Sequence, residues 1–294
     1  MMHTTVTADV LDIGSNSIRY LHAAVTPQGV TAVERKRLIT TRLAQGLDAS
    51  MELGEEPMRR SLDAIRAFVA ISREKSTPFL FAYATSAVRD AKNGGAFCAR
   101  VRVEAGIDVD VLEGCREARL AYIGAVGRAG GGLIDIGGGS AQIMTAEQAH
   151  SFPIGCVRVK DSFPTLPELR LGLPAWLDER LAQLPDIRQP RWTGVGGTIT
   201  TFAALQAGLT EYDPAAVSRE IITSSGLDDL LQCLDEMGDA RRAHPLLTDR
   251  HDVILQGGSV LWELMRRLEI HELAVSDSDG MEGYLLEQCD RILK

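Results

Sequence analysis

One short frame occurs twice in this chain, and it limits what the chain can fold into. Residues 11–17 read Leu-Asp-Ile-Gly-Ser-Asn-Ser and residues 133–140 read Leu-Ile-Asp-Ile-Gly-Gly-Gly-Ser. The frame Asp-Ile-Gly-x-x-Ser thus starts at Asp12 and again at Asp135, 123 positions later. In each copy an apolar run with the pattern of a buried strand ends in a carboxylate. A turn of glycine, hydroxyl and amide residues follows, where the backbone can approach another group closely. Such a carboxylate beside bare N–H groups suits a metal-bound phosphate, with the ion by the aspartate and the phosphate oxygens on the amides. Either copy alone is also explained by a tight hairpin with Gly-rich turn chemistry. Repetition of the whole frame implies two related lobes around a shared ligand.

At 294 residues the chain has room for two domains, each with its own core. Its net charge of −9 argues against DNA or RNA binding through a broad basic face, and against adsorption to an anionic membrane. A phosphate ligand remains open, because metal ions and backbone amides neutralise phosphate locally. The five cysteines (Cys98, Cys115, Cys156, Cys233 and Cys289) are scattered and form no Cys-x-x-Cys pair. Neither a disulfide framework nor a zinc site is expected. The N-terminus shows no basic segment followed by an apolar one, and no apolar run is long enough to span a bilayer. A soluble, cytoplasmic protein is the expectation.

The patterning is of α/β type. Strands are predicted over 6–13, 19–25 and 31–43, then a helix over 55–75 with Met58, Leu62, Ile65, Phe68, Val69 and Ser72 on one face. A strand at 78–83, a helix at 97–105, a strand at 108–112 and a helix at 116–126 follow. Four glycines in 127–132 make that stretch the candidate hinge. Beyond it come a hairpin at 141–145 and 149–152, helical segments at 157–163 and 166–184 (the latter interrupted by Pro174), and a third strand-to-glycine turn at 192–198. Helices at 199–207, 226–237 and 252–268, a strand at 272–276 and a closing helix at 283–293 complete the chain.

Six motifs occur in order. They are Asp12-Ile-Gly-Ser-Asn-Ser17-Ile-Arg19, Ala84-Thr-Ser-Ala-Val-Arg-Asp90, Leu112-Glu-Gly-Cys-Arg-Glu-Ala-Arg119, Asp135-Ile-Gly-Gly-Gly-Ser140, Phe152-Pro-Ile-Gly-Cys-Val-Arg158 and Gly194-Val-Gly-Gly-Thr198. Together they resemble the exopolyphosphatase/guanosine pentaphosphate phosphohydrolase (Ppx/GppA) family of the actin–hexokinase superfamily, over almost the whole chain. The resemblance implies two actin-like (ribonuclease H-like) α/β lobes with mixed sheets and an interdomain cleft. One lobe would cover 1–120, with a helix at 282–294 packing back on it, and the other 121–281. It implies a Mg²⁺- (or Mn²⁺-) dependent release of terminal phosphate from inorganic polyphosphate or guanosine pentaphosphate. The chain would be a short member, ending where longer ones add a helical region, and a homodimer is compatible with the family.

The resemblance also implies roles. Glu117 would activate water; its other explanation is a carboxylate complementing a helix N-terminus, worth about 0.3–1 kcal/mol. Arg89 would clamp phosphate with its guanidinium fork, or else pair with Asp90 on the surface. Arg19 would act likewise or form a strand-face salt bridge. Gly14, Ser15, Asn16 and Ser17 on one turn, and Gly137, Gly138, Gly139 and Ser140 on the other, would bind phosphate. Gly196, Gly197 and Thr198 would add free N–H groups at a helix start, or form a plain turn. Asp12 and Asp135 would hold the metal.

Three positions depart from the family pattern: Gln142 stands where a glutamate is usual, Arg116 where an acidic residue is usual, and Met281 where an arginine is usual. Gln142, the second candidate catalytic residue, can hold a water but cannot accept a proton. Arg116 would lower the basicity of Glu117. Both changes keep a second function in view, a catalytically weakened sensor of phosphate or guanosine polyphosphates. The six histidines show no metal-ligand pairing, Trp176, Trp192 and Trp262 read as packing residues, and Asp277-Ser278-Asp279 reads as a cap for the last helix.

Overall fold

The computed structural model describes residues 5–293, so the absence of a leader pattern at residues 1–4 concerns residues outside the description. The chain divides into two compact units. One runs to Gly124 and resumes at Gly280, and the other spans Ala125–Asp279.

The first unit is built on strands β1 (Val6–Ile13), β2 (Ser17–Thr26), β3 (Gly29–Ala32), β4 (Arg37–Thr40), β5 (Phe79–Ala84) and β6 (Asp110–Val111). Their order is β3-β2-β1-β5-β6, with β4 also on β2. β1 and β2 are antiparallel, whereas β5 and β6 extend the sheet in parallel from β1. The strand predicted over 31–43 is in fact two, because the ten-residue β2 serves two partners in turn. Between them Lys36 leaves the sheet to pair with Glu282 at 3.0 Å.

The second unit repeats the plan with β7 (Gly132–Ile136), β8 (Ala141–Met144), β9 (Ala149–Phe152), β10 (Trp192–Val195), β11 (Ile221–Thr223) and β12 (Glu272–Val275). The order is β11-β12-β10-β7-β8-β9, and β7, β10 and β12 are parallel. In both sheets the Asp-Ile-Gly frame ends the first strand of a hairpin whose other neighbour is parallel. Ligand-facing groups collect at such carboxyl ends.

Helices cover the sheets through apolar faces. The helix Glu55–Glu74 buries Met58, Leu62, Ile65, Phe68 and Val69, and Phe68 stacks on Tyr20 of β2 with centroids 5.4 Å apart. Each such side chain contributes about 1.5–3 kcal/mol by leaving water. The helix Gly280–Glu287 brings Met281, Tyr284 and Leu285 into the core of the first unit beside Ala8 and Val10. A separate short helix, Cys289–Ile292, follows it, so the predicted closing helix is broken near Gln288.

Pro174 does not interrupt its helix, which runs from Leu166 to Arg180. A mid-helix proline costs about 3 kcal/mol. Burial of Leu169, Leu173 and Leu177, a Thr165–Glu168 capping box and the Arg180 guanidinium 3.7 Å above the Trp176 ring offset it. Within the candidate hinge, Gly131 and Gly132 are packing glycines. A Cβ on Gly132 would overlap the Trp192 ring, and its N–H donates to the Arg191 carbonyl at 2.8 Å. No helix among the described residues is long and apolar enough to cross a membrane.

Candidate active site

The two turns close in the same way. Gly14 N–H donates to the Ser17 carbonyl at 3.1 Å, and Gly137 N–H donates to the Ser140 carbonyl at 3.0 Å. Their carbonyls are then consumed within their own units, by different means. Thr41 and Arg42 N–H groups donate to the Asn16 carbonyl, and Ala44 N–H to that of Ser15. In the second unit the start of the helix Cys156–Ser162 does this work: Cys156 N–H bonds the Gly137 carbonyl at 3.0 Å and Val157 N–H that of Gly138 at 2.8 Å. Arg158 Nε adds a bond to the Gly139 carbonyl at 2.7 Å. Orphan helix donors thus meet orphan turn acceptors. A turn whose carbonyls are occupied presents its N–H side, the polarity an anion requires. The approach depends on Gly155, where any Cβ would overlap the Gly138 and Gly139 backbone.

Hydroxyl and amide side chains complete each turn. Ser15 and Ser86 share a hydrogen bond of 2.9 Å, and Asn16 Nδ2 donates to Ser17 Oγ at 3.2 Å. Ser15, Asn16, Ser17 and Ser140 are all buried. Gln142 is buried too, with Nε2 donating to Ser140 Oγ at 2.8 Å and Ser151 Oγ at 3.2 Å.

The carboxylates differ in their company. Arg19 lies directly across from Asp12 in the β1–β2 register and donates through Nε to Oδ2 at 2.9 Å, with a second bond from Nη2. Of the two readings of Arg19, the strand-face salt bridge is therefore present. Asp135 sits over the start of the helix Gly196–Gln206, where a Cβ on Gly196 would overlap its Oδ1. Gly196 also has φ +85°, so glycine is required there on two counts. Gly197 opens the same helix and is covered by the Arg250 guanidinium, while the neighbouring Thr198 is buried.

Glu117 lies in the first turn of the helix Gly114–Ala125, and Arg89 at the end of the helix Ser86–Asp90. The structure brings them together: Arg89 Nη1 donates to Glu117 Oε2 at 2.9 Å and to the Leu112 carbonyl at 2.8 Å, while Nε lies 3.3 Å from Asp90. Arg116 turns the other way, pairing with Asp110 at 2.8 Å and Glu287 at 2.6 Å and lying over the Tyr284 ring. Those hydrogen bonds hold its guanidinium more firmly protonated than usual. Its charge is neutralised by two carboxylates other than Glu117, which removes the sequence argument that it depresses that residue's basicity.

Sequence reasoning passed over Arg158 and Arg250. Arg158 stood within a quoted motif without a role. Arg250 reaches Gly197 from an irregular stretch that carries no motif signal. Behind the second turn, burial pushes the Cys156 thiol up to about 11, against a smaller opposite effect of Arg250.

For a metal, the donors on hand are oxygens. Among the described residues no three His, Cys, Asp or Glu side chains gather into a closed cage. One carboxylate at each strand end fits Mg²⁺, which takes few protein ligands and keeps its waters, and does not fit a structural zinc. At Asp12, Arg19 already holds Oδ2.

Residues 23–292 match the model of the Ppx/GppA phosphatase family. The chain belongs to that family. Exopolyphosphatase 2 of Mycobacterium tuberculosis is 32% identical over 94% of this chain and 96% of its own length. The crystal structure of the Ppx/GppA family member of Aquifex aeolicus superposes with a TM-score of 0.78 at 26% identity, covering 98% of this chain and 99% of that one. An exopolyphosphatase from Cytophaga hutchinsonii gives a TM-score of 0.87 at 24% identity, covering 97% and 98%, a likeness of fold. Both mixed sheets are thus of the actin-like type, and the chain is a Ppx/GppA phosphohydrolase acting on phosphoanhydride bonds.

Proposed function

We propose that this Ppx/GppA member removes the terminal phosphate of inorganic polyphosphate, with guanosine pentaphosphate as the alternative substrate. Polyphosphate is favoured because the relative that matches nearly end to end is named an exopolyphosphatase. The observation that carries the reading is the Arg89–Glu117 pair, a carboxylate and a guanidinium 2.9 Å apart in the unit that also holds the Asp12 turn.

In this reading Arg89 and the amides of Gly14–Ser17 hold phosphate oxygens in the first unit, and the amides of Gly137–Ser140 and Gly196–Thr198 offer donors to phosphate in the second. As phosphate draws on the Arg89 fork, Glu117 exchanges its arginine for a water and takes that water's proton. The water oxygen bonds the terminal phosphorus while the bridging P–O bond breaks, giving phosphate and a chain one unit shorter. General-base help of this kind is worth about 10²–10⁴ in rate. Asp12 and Asp135 are the residues that would hold Mg²⁺, which supplies positive charge against the phosphoryl oxygens when bound. The test is phosphate release from polyphosphate and from guanosine pentaphosphate by wild type and Glu117→Gln. Equal rates in the two proteins would remove the proposed base.

The sensor reading keeps one support. The Nε2 amide group of Gln142 is committed to Ser140 and Ser151, and the side chain cannot take a proton from a water as a carboxylate would. Thermal stabilisation by guanosine tetraphosphate with no turnover of any phosphoanhydride would select it.

A further inference from the structure

Asp135, Gln142 and Ser151 form one cross-strand row: Asp135 is in register with Gln142, and Gln142 with Ser151. Residues opposite one another in this way put their side chains on one face of the sheet. The row therefore carries a single carboxylate. A second consequence concerns protons. The Gln142 amide donates to Ser140 Oγ at 2.8 Å, so Ser140 spends a lone pair inward and keeps its O–H to donate. That hydroxyl closes a turn whose three glycine carbonyls are already occupied. The turn thus offers hydrogen-bond donors, with one carboxylate, Asp135, in the row beside it and the Arg158 guanidinium on its Gly139 carbonyl.

We propose that Gln142 makes the second turn anion-first: it takes phosphate without metal and takes a divalent cation only as part of a cation–phosphate complex. This rests on the phosphohydrolase reading and specifies the form in which its substrate binds. A carboxylate at this position would act oppositely. It would accept the Ser140 proton, turn the serine lone pairs outward and place a second negative charge beside Asp135, a pair suited to holding a bare cation. Gln142 is here a positioning residue, acting through Ser140 and through the charge it leaves out.

The test uses the full chain, wild type and Gln142→Glu, with Mn²⁺ alone and with inorganic phosphate in EDTA, read by calorimetry and thermal unfolding. Wild type binds phosphate in EDTA and binds Mn²⁺ alone only weakly. Gln142→Glu binds Mn²⁺ about tenfold more tightly and phosphate about tenfold more weakly, as expected for one added charge at close range. Equal Mn²⁺ affinities in the two proteins, or phosphate binding by wild type that requires Mn²⁺, overturns the proposal. Should the glutamate variant not fold, Gln142→Met keeps the volume and removes the amide: phosphate affinity then falls several-fold with Mn²⁺ affinity unchanged, and an unchanged phosphate affinity overturns it. Failure of wild type to hydrolyse polyphosphate would sink the functional reading, whereas the present proposal stands or falls on the binding data.

Discussion

Asp12 and Asp135 end equivalent strands and open equivalent turns, yet Arg19 lies across from the first and Gln142 from the second. The positions correspond: each partner is the seventh residue after its aspartate. In the first unit the carboxylate is balanced by its own hairpin, so the turn is close to neutral and its charge is locked into the fold. In the second the residue across from the aspartate is the uncharged Gln142, and the Arg158 guanidinium binds the turn at the Gly139 carbonyl. The repeat thus preserves the backbone of the turn and diverges in the side chain across from the aspartate. The proposed base adds to the asymmetry, because Glu117 and the Arg89 paired with it belong to the first unit alone.

The largest effect should separate chemistry from binding. Glu117→Gln is expected to lower kcat by about 10²–10⁴ with little change in KM, as removal of a general base predicts. Asp135→Asn should instead raise the Mg²⁺ concentration needed for half-maximal rate. Steady-state rates against polyphosphate and against Mg²⁺ check both. If Asp135→Asn leaves the Mg²⁺ dependence where it was, the charge difference between the turns has no functional weight.

The next prediction concerns stability. Arg19→Gln makes the first turn resemble the second and removes charge-assisted bonds to a buried aspartate, at a cost of about 1.5–3 kcal/mol. Gln142→Ala removes two neutral bonds to serines and should cost about 1 kcal/mol. Urea unfolding of the two variants measures the gap. Equal costs would show that Arg19 is no more committed to its turn than Gln142 is.

Why one half of this comparison could be read from sequence and the other could not is a matter of range. The Asp-Ile-Gly-x-x-Ser frame is contiguous, and its strand–turn–strand outcome follows from local chemistry. The long helix after Gly54 was visible in its apolar spacing. Arg19 was left between two roles because only the register places it across from Asp12. Gln142 drew notice as a substitution, but its commitment to Ser140 and Ser151 depends on a third strand. Arg116 was misjudged for a plain reason: adjacency to Glu117 in sequence suggested proximity, whereas the side chain is captured by Asp110 and by Glu287 from the far end of the chain. Arg250 had no local signal at all. Pro174 was read as a break because its cost is local, while the packing of Leu169, Leu173 and Leu177 that offsets it is not.

The smallest effect probes what lies behind each turn. The first is backed by residues 41–44, whose buried members Thr41, Leu43 and Ala44 do not titrate. The second is backed by Cys156, whose thiol burial pushes from about 9 to about 11. A thiol that holds its proton more tightly when folded supports the native state fully below the unfolded value and loses that support as pH rises through the folded one. Stability from this group should therefore decline between about pH 9 and 11. Urea unfolding of wild type and Cys156→Ala at pH 8, 9.5 and 11 isolates the effect, because the remaining titrations are common to both proteins. Wild type should lose more stability than the variant across that window, and at pH 8 native Cys156 should alkylate after the exposed Cys115 and Cys233. Parallel pH profiles for the two proteins would mean that the helix start behind the glycine turn opens to water more readily than its packing implies. The second turn would then be the looser of the two, and the anion site proposed there would be organised by the ligand instead of standing ready for it.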